Sequence, residues 1–192
     1  MKQGFVKVAA ASCAVVVADV RENTRVILET IHKMEGEGAK VMVLPELALT
    51  GYTCSDLFWQ SQMIDAAKEG LKEIADGTKE TDALIFVGLP WEQGGKLFNV
   101  AAVLCHGELL GIVPKKYLPN YNEFYELRHF TPGKEAVTTT EFFGKEVPFG
   151  MNLLFQCRKN ARVLRLRQSS VRISGPQIRR VWRMRWPVRQ WS

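Results

Sequence analysis

The chain has 192 residues, of which 46% are hydrophobic and 24% charged, as expected for one globular domain. Its net charge is +6. No apolar run approaches the roughly 20 residues that a membrane-spanning helix needs, which argues against a membrane protein. The four cysteines are widely spaced and form no C-x-x-C pair, so they predict neither a metal site nor a disulfide. A reducing, cytoplasmic location is therefore expected.

The first half of the chain alternates predicted strands and helices. Residues 6–17 predict a strand that is apolar enough to be buried on both faces. Asp19 and Glu22 form the pattern of a capping box, and the apolar spacing that follows predicts a helix ending at Gly36. Residues 40–44 predict a second strand. Together these segments favour an α/β domain.

The second half continues the alternation and then changes character. Residues 55–76 predict one long amphipathic helix. Further strands are predicted over residues 83–88, 98–105, 109–113 and 150–157, with the middle two forming a hairpin. Residues 114–136 form a long loop rich in aromatic and charged side chains, and long loops in compact domains are often functional. This order predicts an α/β layered domain, which two packed sheets with outer helices would satisfy.

Three charged side chains follow predicted strands or lie in the long loop. Glu46 comes directly after the second strand, at the edge where open α/β sheets place their sites, and its apolar neighbours predict a desolvated carboxylate that could act as a general base. Lys115 ends another strand between two prolines and could stabilise an oxyanion. Glu126 lies in the loop. Taken singly, Glu46 and Lys115 are better explained as solvated surface charges, and Glu126 could simply be a loop charge.

The three segments resemble one family when they are read in order. Residues 45–52 read Pro-Glu-Leu-Ala-Leu-Thr-Gly-Tyr, residues 114–119 read Pro-Lys-Lys-Tyr-Leu-Pro, and residues 121–126 read Tyr-Asn-Glu-Phe-Tyr-Glu. This series resembles the nitrilase, or carbon–nitrogen hydrolase, superfamily. Ser-Asp-Leu-Phe at residues 55–58 resembles one branch, the N-terminal glutaminase domains of glutamine-dependent NAD synthases. The resemblance covers about residues 5–157.

The resemblance implies a fold, a site and a substrate. The fold would be a nitrilase-like α-β-β-α sandwich, and the site a Glu–Lys–Cys triad that hydrolyses glutamine. Glu46 matches the general base, Lys115 the oxyanion-stabilising lysine and Glu126 a second glutamate that orients the site. The positions that shape the glutamine pocket match Tyr52, Tyr121 and Phe124.

The matching nucleophile is missing, and the last 35 residues differ from the rest in charge. Residues 1–157 hold 15 basic and 20 acidic residues, a net charge of −5, whereas residues 158–192 hold 11 basic residues, no acid and no cysteine. Cys157 matches a family position before the nucleophile strand. We therefore expect an incomplete sandwich over residues 1–157, followed by an out-of-frame translation over residues 158–192, and no glutaminase activity in the chain as given.

Other functions stay open at this level. In the resembled family, ATP, magnesium and deamido-NAD belong to a synthetase domain that this chain lacks, so no cofactor is expected here. Glutamine is the expected partner, full-length relatives are expected to form homo-oligomers, and neither a membrane nor nucleic acid is expected. The alternatives are another nitrilase-superfamily amidase, a catalytically inactive binding or regulatory domain, and an Arg-rich nucleic-acid-binding protein.

Overall fold

The computed structural model describes residues 5–122, 124–159, 162–166 and 189–191, with side chains described as far as Phe155. The first strand, β1, covers only Val8–Ala10 and is alternately exposed, so the prediction of a long strand buried on both faces is wrong. The side chains of Val8, Val16 and Val17 are about half exposed or more, at 61%, 49% and 50%. The reason is position, because β1 lies at the edge of its sheet and pairs only with β2, Val41–Val43.

The first helix, α1, covers Val20–Gly36, close to its predicted range. The Asp19 carboxylate accepts a hydrogen bond from the Glu22 backbone N–H at 3.0 Å, which confirms half of the capping box. The Glu22 side chain accepts instead from the Arg25 guanidinium at 2.6 Å and 3.0 Å. This pairing also lowers the pKa of Glu22.

The long helix predicted over residues 55–76 is in fact two helices. A 3-10 helix covers Ser55–Trp59, and α2 covers Ser61–Gly77. Gln60 separates them with an extended backbone, at φ −86° and ψ 123°. Phe58, in the 3-10 helix before the break, lies in the core and is 3% exposed.

An antiparallel meander forms the centre of the sheet. Its strands are β3 (Leu84–Gln93), β4 (Lys96–Cys105) and β5 (Glu108–Pro114). The turn at His106 and Gly107 confirms the predicted hairpin. Strand β3 runs five residues beyond its prediction and joins β4 through Gly94 and Gly95, both at positive φ.

The rest of the chain adds a short helix and two hairpins. Helix α3 covers Glu126–His129, and a hairpin that the sequence reading missed joins β6 (Thr138–Phe142) to β7 (Lys145–Phe149). Strand β8, Phe155–Lys159, starts five residues later than predicted. The last described strands are β9, Arg162–Leu166, and β10, Arg189–Trp191.

The strands form two sheets, and the mixed α/β class is confirmed. One sheet has the order β1-β2-β3-β4-β5-β7-β6, and the other has the order β10-β8-β9. Alternate residues of β3 face opposite sides. Ile85 and Val87 join the core that contains α1 and α2, whereas Leu84 and Phe86 pack in a second core with Phe155 of β8.

No helix in the described part of the chain is long and apolar enough to cross a membrane.

Candidate active site

The main-chain positions of the three predicted charged residues follow from the sheet. Glu46 lies two residues after Leu44, whose N–H still bonds to Phe86 of β3 at 3.0 Å. Lys115 follows β5 directly, and its backbone is held on both sides: its N–H donates to Asn99 at 2.8 Å and its carbonyl accepts from Gly133 at 2.8 Å. Glu126 is the first residue of α3. Two strand ends and one short helix therefore converge.

Lys115 lies between the two carboxylates. Its Nζ is 2.8 Å from Glu46 Oε1 and 3.0 Å from Glu46 Oε2, and it is 2.9 Å from Glu126 Oε1. The Tyr52 hydroxyl donates to the same Glu126 oxygen at 2.7 Å. One lysine side chain thus links two glutamates that are far apart in sequence.

The two glutamates differ sharply in burial. The side chain of Glu126 is 3% exposed and that of Lys115 is 9% exposed, whereas that of Glu46 is 48% exposed. The expectation that Glu46 would be desolvated is therefore wrong: its strand ends at a surface, and its carboxylate points along that surface to Lys115. Glu126 is the desolvated carboxylate, and its Oε2 has no hydrogen-bond partner among the described residues.

The predicted aromatic residues lie beside the charged cluster. The ring of Phe124 makes edge contacts with Tyr52, at a centroid distance of 6.2 Å, and with Tyr121, at 5.7 Å. Tyr121 and Phe124 line a cavity of about 370 Å³ that also contacts Glu46 and Lys115. Tyr52 reaches the site through Glu126. The structure therefore brings all six predicted site residues together.

Comparison with known proteins identifies the family. The family model for carbon–nitrogen hydrolases matches residues 7–153. The chain belongs to the carbon–nitrogen hydrolase family. It is 35% identical over 154 residues to a glutamine-dependent NAD(+) synthetase of Mycobacterium tuberculosis, and this match covers 80% of the chain and 23% of that protein. It is 36% identical over 135 residues to the glutamine-dependent NAD(+) synthetase of Aquifex aeolicus, and this match covers 70% of the chain and 23% of that protein.

Solved structures of this family share the fold. A glutamine-dependent NAD(+) synthetase from Cytophaga hutchinsonii superposes with a TM-score of 0.74 and 28% identity, covering 79% of this chain and 27% of that one. An amidase from Nesterenkonia sp. superposes with a TM-score of 0.60 and 22% identity, and the match covers 77% of this chain and 56% of the amidase. The second likeness supports the fold alone. The chain spans about a quarter of the length of the synthetases that it matches.

Several residues of this carbon–nitrogen hydrolase site were missed in the sequence. The cavity wall also includes Lys116, Leu118 and Asn120. Arg128 of α3 donates to both oxygens of Asp56 at 2.8 Å and 3.0 Å, which ties α3 to the 3-10 helix. The only signal in the sequence was the opposite charge of Asp56 and Arg128, which does not show that the two side chains meet.

The cysteines with described side chains do not join the cluster. Cys54 is buried and donates to the Thr50 carbonyl at 2.9 Å, and burial raises the pKa of its thiol. Cys105 is buried in the sheet core, in the strand predicted over residues 98–105. Cys13 lies outside the strand predicted over residues 6–17, but it is half-buried against the core and donates to Thr30 at 3.5 Å. The side chain of Cys157 lies outside the described residues.

The described residues also contain no group of three His, Cys, Asp or Glu able to hold a metal ion.

Proposed function

We propose that residues 5–155 carry the glutamine site of a glutaminase domain of the kind found in glutamine-dependent NAD synthases. The observation that carries the proposal is the position of Lys115 Nζ, between Glu46 and Glu126 on the wall of an aromatic-lined cavity. A cation fixed at such a wall stabilises the negative charge that develops on an amide oxygen during attack. The relatives' shared function supports glutamine as the amide.

Each charged residue would have a distinct role. A cysteine thiolate attacks the amide carbon, and Lys115 stabilises the oxyanion. Glu46, which is open to the cavity, takes the thiol proton and delivers it to the departing ammonia, after which it activates the water that hydrolyses the thioester. Glu126 is buried and cannot exchange protons with solvent as readily, so it would hold Lys115 in place. ATP, magnesium and deamido-NAD would act in the part of the relatives that this chain does not match.

The chain as given is expected to bind glutamine without hydrolysing it. No cysteine follows Cys157, and the described thiols lie outside the Lys115 cluster. Without a thiolate, Glu46 and Lys115 cannot form the thioester. Calorimetric titration with glutamine should detect binding, and a coupled assay should detect no ammonia release.

Matched variants separate the possible outcomes. Tyr121→Ala should weaken binding at least about tenfold, the equivalent of about 1.4 kcal/mol, since Tyr121 lines the cavity. Tyr125→Ala should not weaken binding, because Tyr125 is 64% exposed and lies off the cavity wall.

Absence of glutamine binding would reject the proposal. Ammonia release that Cys157→Ala abolishes would instead identify Cys157 as the nucleophile, whereas release that survives Glu46→Gln would indicate contamination.

Other amides test the nearest alternative. A general amidase of this superfamily would bind small amides such as propionamide as well as it binds glutamine. A glutaminase site should prefer glutamine, because the cavity carries Lys116 and Asn120 in addition to the charged cluster, and these can hold the polar groups of an amino acid. A preference for the small amide in competition titrations would favour the general amidase.

A further inference from the structure

The backbone of Gly88, in the middle of β3, lies directly behind Glu46. A Cβ atom at Gly88 would lie 2.3 Å from the Pro45 carbonyl oxygen, 2.6 Å from the Leu47 nitrogen and 2.9 Å from the Glu46 carbonyl carbon. All three atoms belong to the backbone, so no side-chain rotation can relieve the overlap. Any residue other than glycine at this position therefore requires the backbone to move.

The strand is the less movable of the two partners. Gly88 pairs with Ala101 in the middle of the β3–β4 ladder, and ladder bonds continue on both sides of it. The segment after β2 lies beyond the end of the β2–β3 ladder and bonds to β3 at single points, such as the bond from the Leu49 N–H to the Gly88 carbonyl at 3.3 Å. Leu47 already adopts a positive φ of 50°, an uncommon backbone conformation for leucine. A displacement would therefore fall on the segment that contains Glu46.

We infer that Gly88 is a positioning residue for Glu46. Its missing side chain lets the backbone of residues 45–47 lie against β3, and that depth places the Glu46 carboxylate 2.8 Å from Lys115 Nζ. The importance of this contact for catalysis rests on the proposed function, but the contact itself does not. Moving the Glu46 backbone outward by the overlap would lengthen this contact and weaken the ion pair.

Other tightly packed glycines meet different surroundings. The nearest neighbours of a Cβ at Gly70, Gly77 or Gly111 would be side-chain atoms of Thr24, Leu28 and Leu153. Substitution there disturbs packing between elements. At Gly88 the substitution acts on the backbone that carries a residue of the site.

The inference is tested by measuring how fast Lys115 is methylated in the purified full chain. Formaldehyde and cyanoborohydride would be applied, and modified lysines would be quantified by tandem mass spectrometry, with the more exposed Lys116 as internal reference. Gly88→Ala should raise the Lys115 rate about tenfold, as loss of a contact of about 1.4 kcal/mol would. Glu46→Gln provides the reference for a lost Glu46 contact. Gly36→Ala is the control, since a Cβ there meets nothing within 4 Å.

Amide hydrogen exchange shows whether the effect is local. In Gly88→Ala, faster exchange should be confined to about residues 44–51, while β4, β5 and α2 keep their protection. An unchanged Lys115 rate would overturn the inference. Faster exchange throughout the sheet, or loss of the fold, would also overturn it, because Gly88 would then serve the fold rather than Glu46. Failure of the native chain to bind glutamine would reject the proposed function and leave this result intact.

Discussion

The ammonium group of Lys115 is buried together with one of its two carboxylate partners. Because Glu126 is 3% exposed, removal of the lysine charge would leave an uncompensated carboxylate in the interior. The contact with Glu46 is more exposed and should contribute less to stability. The pair with Glu126 should therefore contribute more to the stability of the fold than the pair with Glu46.

Lys115→Met should lower the free energy of unfolding by about 3 to 5 kcal/mol, because it leaves Glu126 buried without its cation. Urea denaturation followed by circular dichroism measures this change. Lys116→Met is the matched control: its partner Glu135 is exposed, so the loss should stay below about 1 kcal/mol. Equal losses in the two variants would contradict the burial argument.

The Cys54 thiol offers a second test at the scale of one residue. Burial raises its pKa, which lowers the thiolate fraction near neutral pH, and the thiol is also only 2% exposed. Alkylation of Cys54 by iodoacetamide should therefore be slower in the native chain than in guanidinium. The native rate should also keep rising with pH after that of the unfolded thiol has levelled off. A native rate equal to the unfolded one would show that Cys54 is accessible and reactive.

At the scale of elements, α3 is held against the 3-10 helix by aromatic contacts and by charged contacts to Asp56. The rings of Phe58 and Phe130 are buried at a centroid distance of 5.0 Å. The ion pair of Asp56 and Arg128 is more than half exposed on both sides and should contribute little. The aromatic contact is therefore the main attachment of the helix that carries Glu126.

Phe58→Ala should lower the free energy of unfolding by about 3 to 5 kcal/mol and speed amide exchange in residues 126–130. Arg128→Met should cost less than about 1 kcal/mol. Phe143→Ala is the aromatic control, because Phe143 is 48% exposed and lies in the turn between β6 and β7. Thermal unfolding and exchange mass spectrometry measure both effects. A larger effect of Arg128→Met than of Phe58→Ala would show that the ion pair is the main attachment.

At the scale of the whole molecule, the charge distribution is uneven. The change from −5 over residues 1–157 to 11 basic residues without an acid over the next 35 is larger than selection on one folded surface usually produces. The family match ends at residue 153, shortly before this change. A shift of reading frame in a GC-rich gene would account for the excess of arginine, since arginine codons are rich in G and C.

Re-reading the DNA in a shifted frame from about the Cys157 codon should restore family sequence. The restored frame should contain a buried strand with Ile-Cys-Glu-Asp or a close equivalent, followed by a synthetase domain with a Ser-Gly-Gly-type nucleotide-binding loop. Nucleotide sequencing of the gene is the measurement. If neither shifted frame contains such a strand, the basic segment is genuine, and an inactive binding domain or a nucleic-acid-binding protein becomes the better interpretation.

The sequence by itself determined the mixed α/β class and the family. Hydrophobic periodicity and turn residues act over a few positions, so they placed α1 and the β4–β5 hairpin near their observed bounds. The same local signals failed where burial depends on neighbours. Strand β1 is short and exposed because it lies at a sheet edge. The helix predicted over residues 55–76 breaks at Gln60, two residues after the buried Phe58.

Only the tertiary structure decided how the site residues are arranged. The order of motifs indicated Glu46, Lys115 and Glu126, but not that Glu126 would be the buried carboxylate and Glu46 the exposed one. Burial and ion pairing depend on side chains that approach from distant parts of the chain: Lys115 meets Glu46 across 69 positions. For the same reason the sequence could not show that Gly88 lies behind Glu46, because the overlap exists only once β2 and β3 pair.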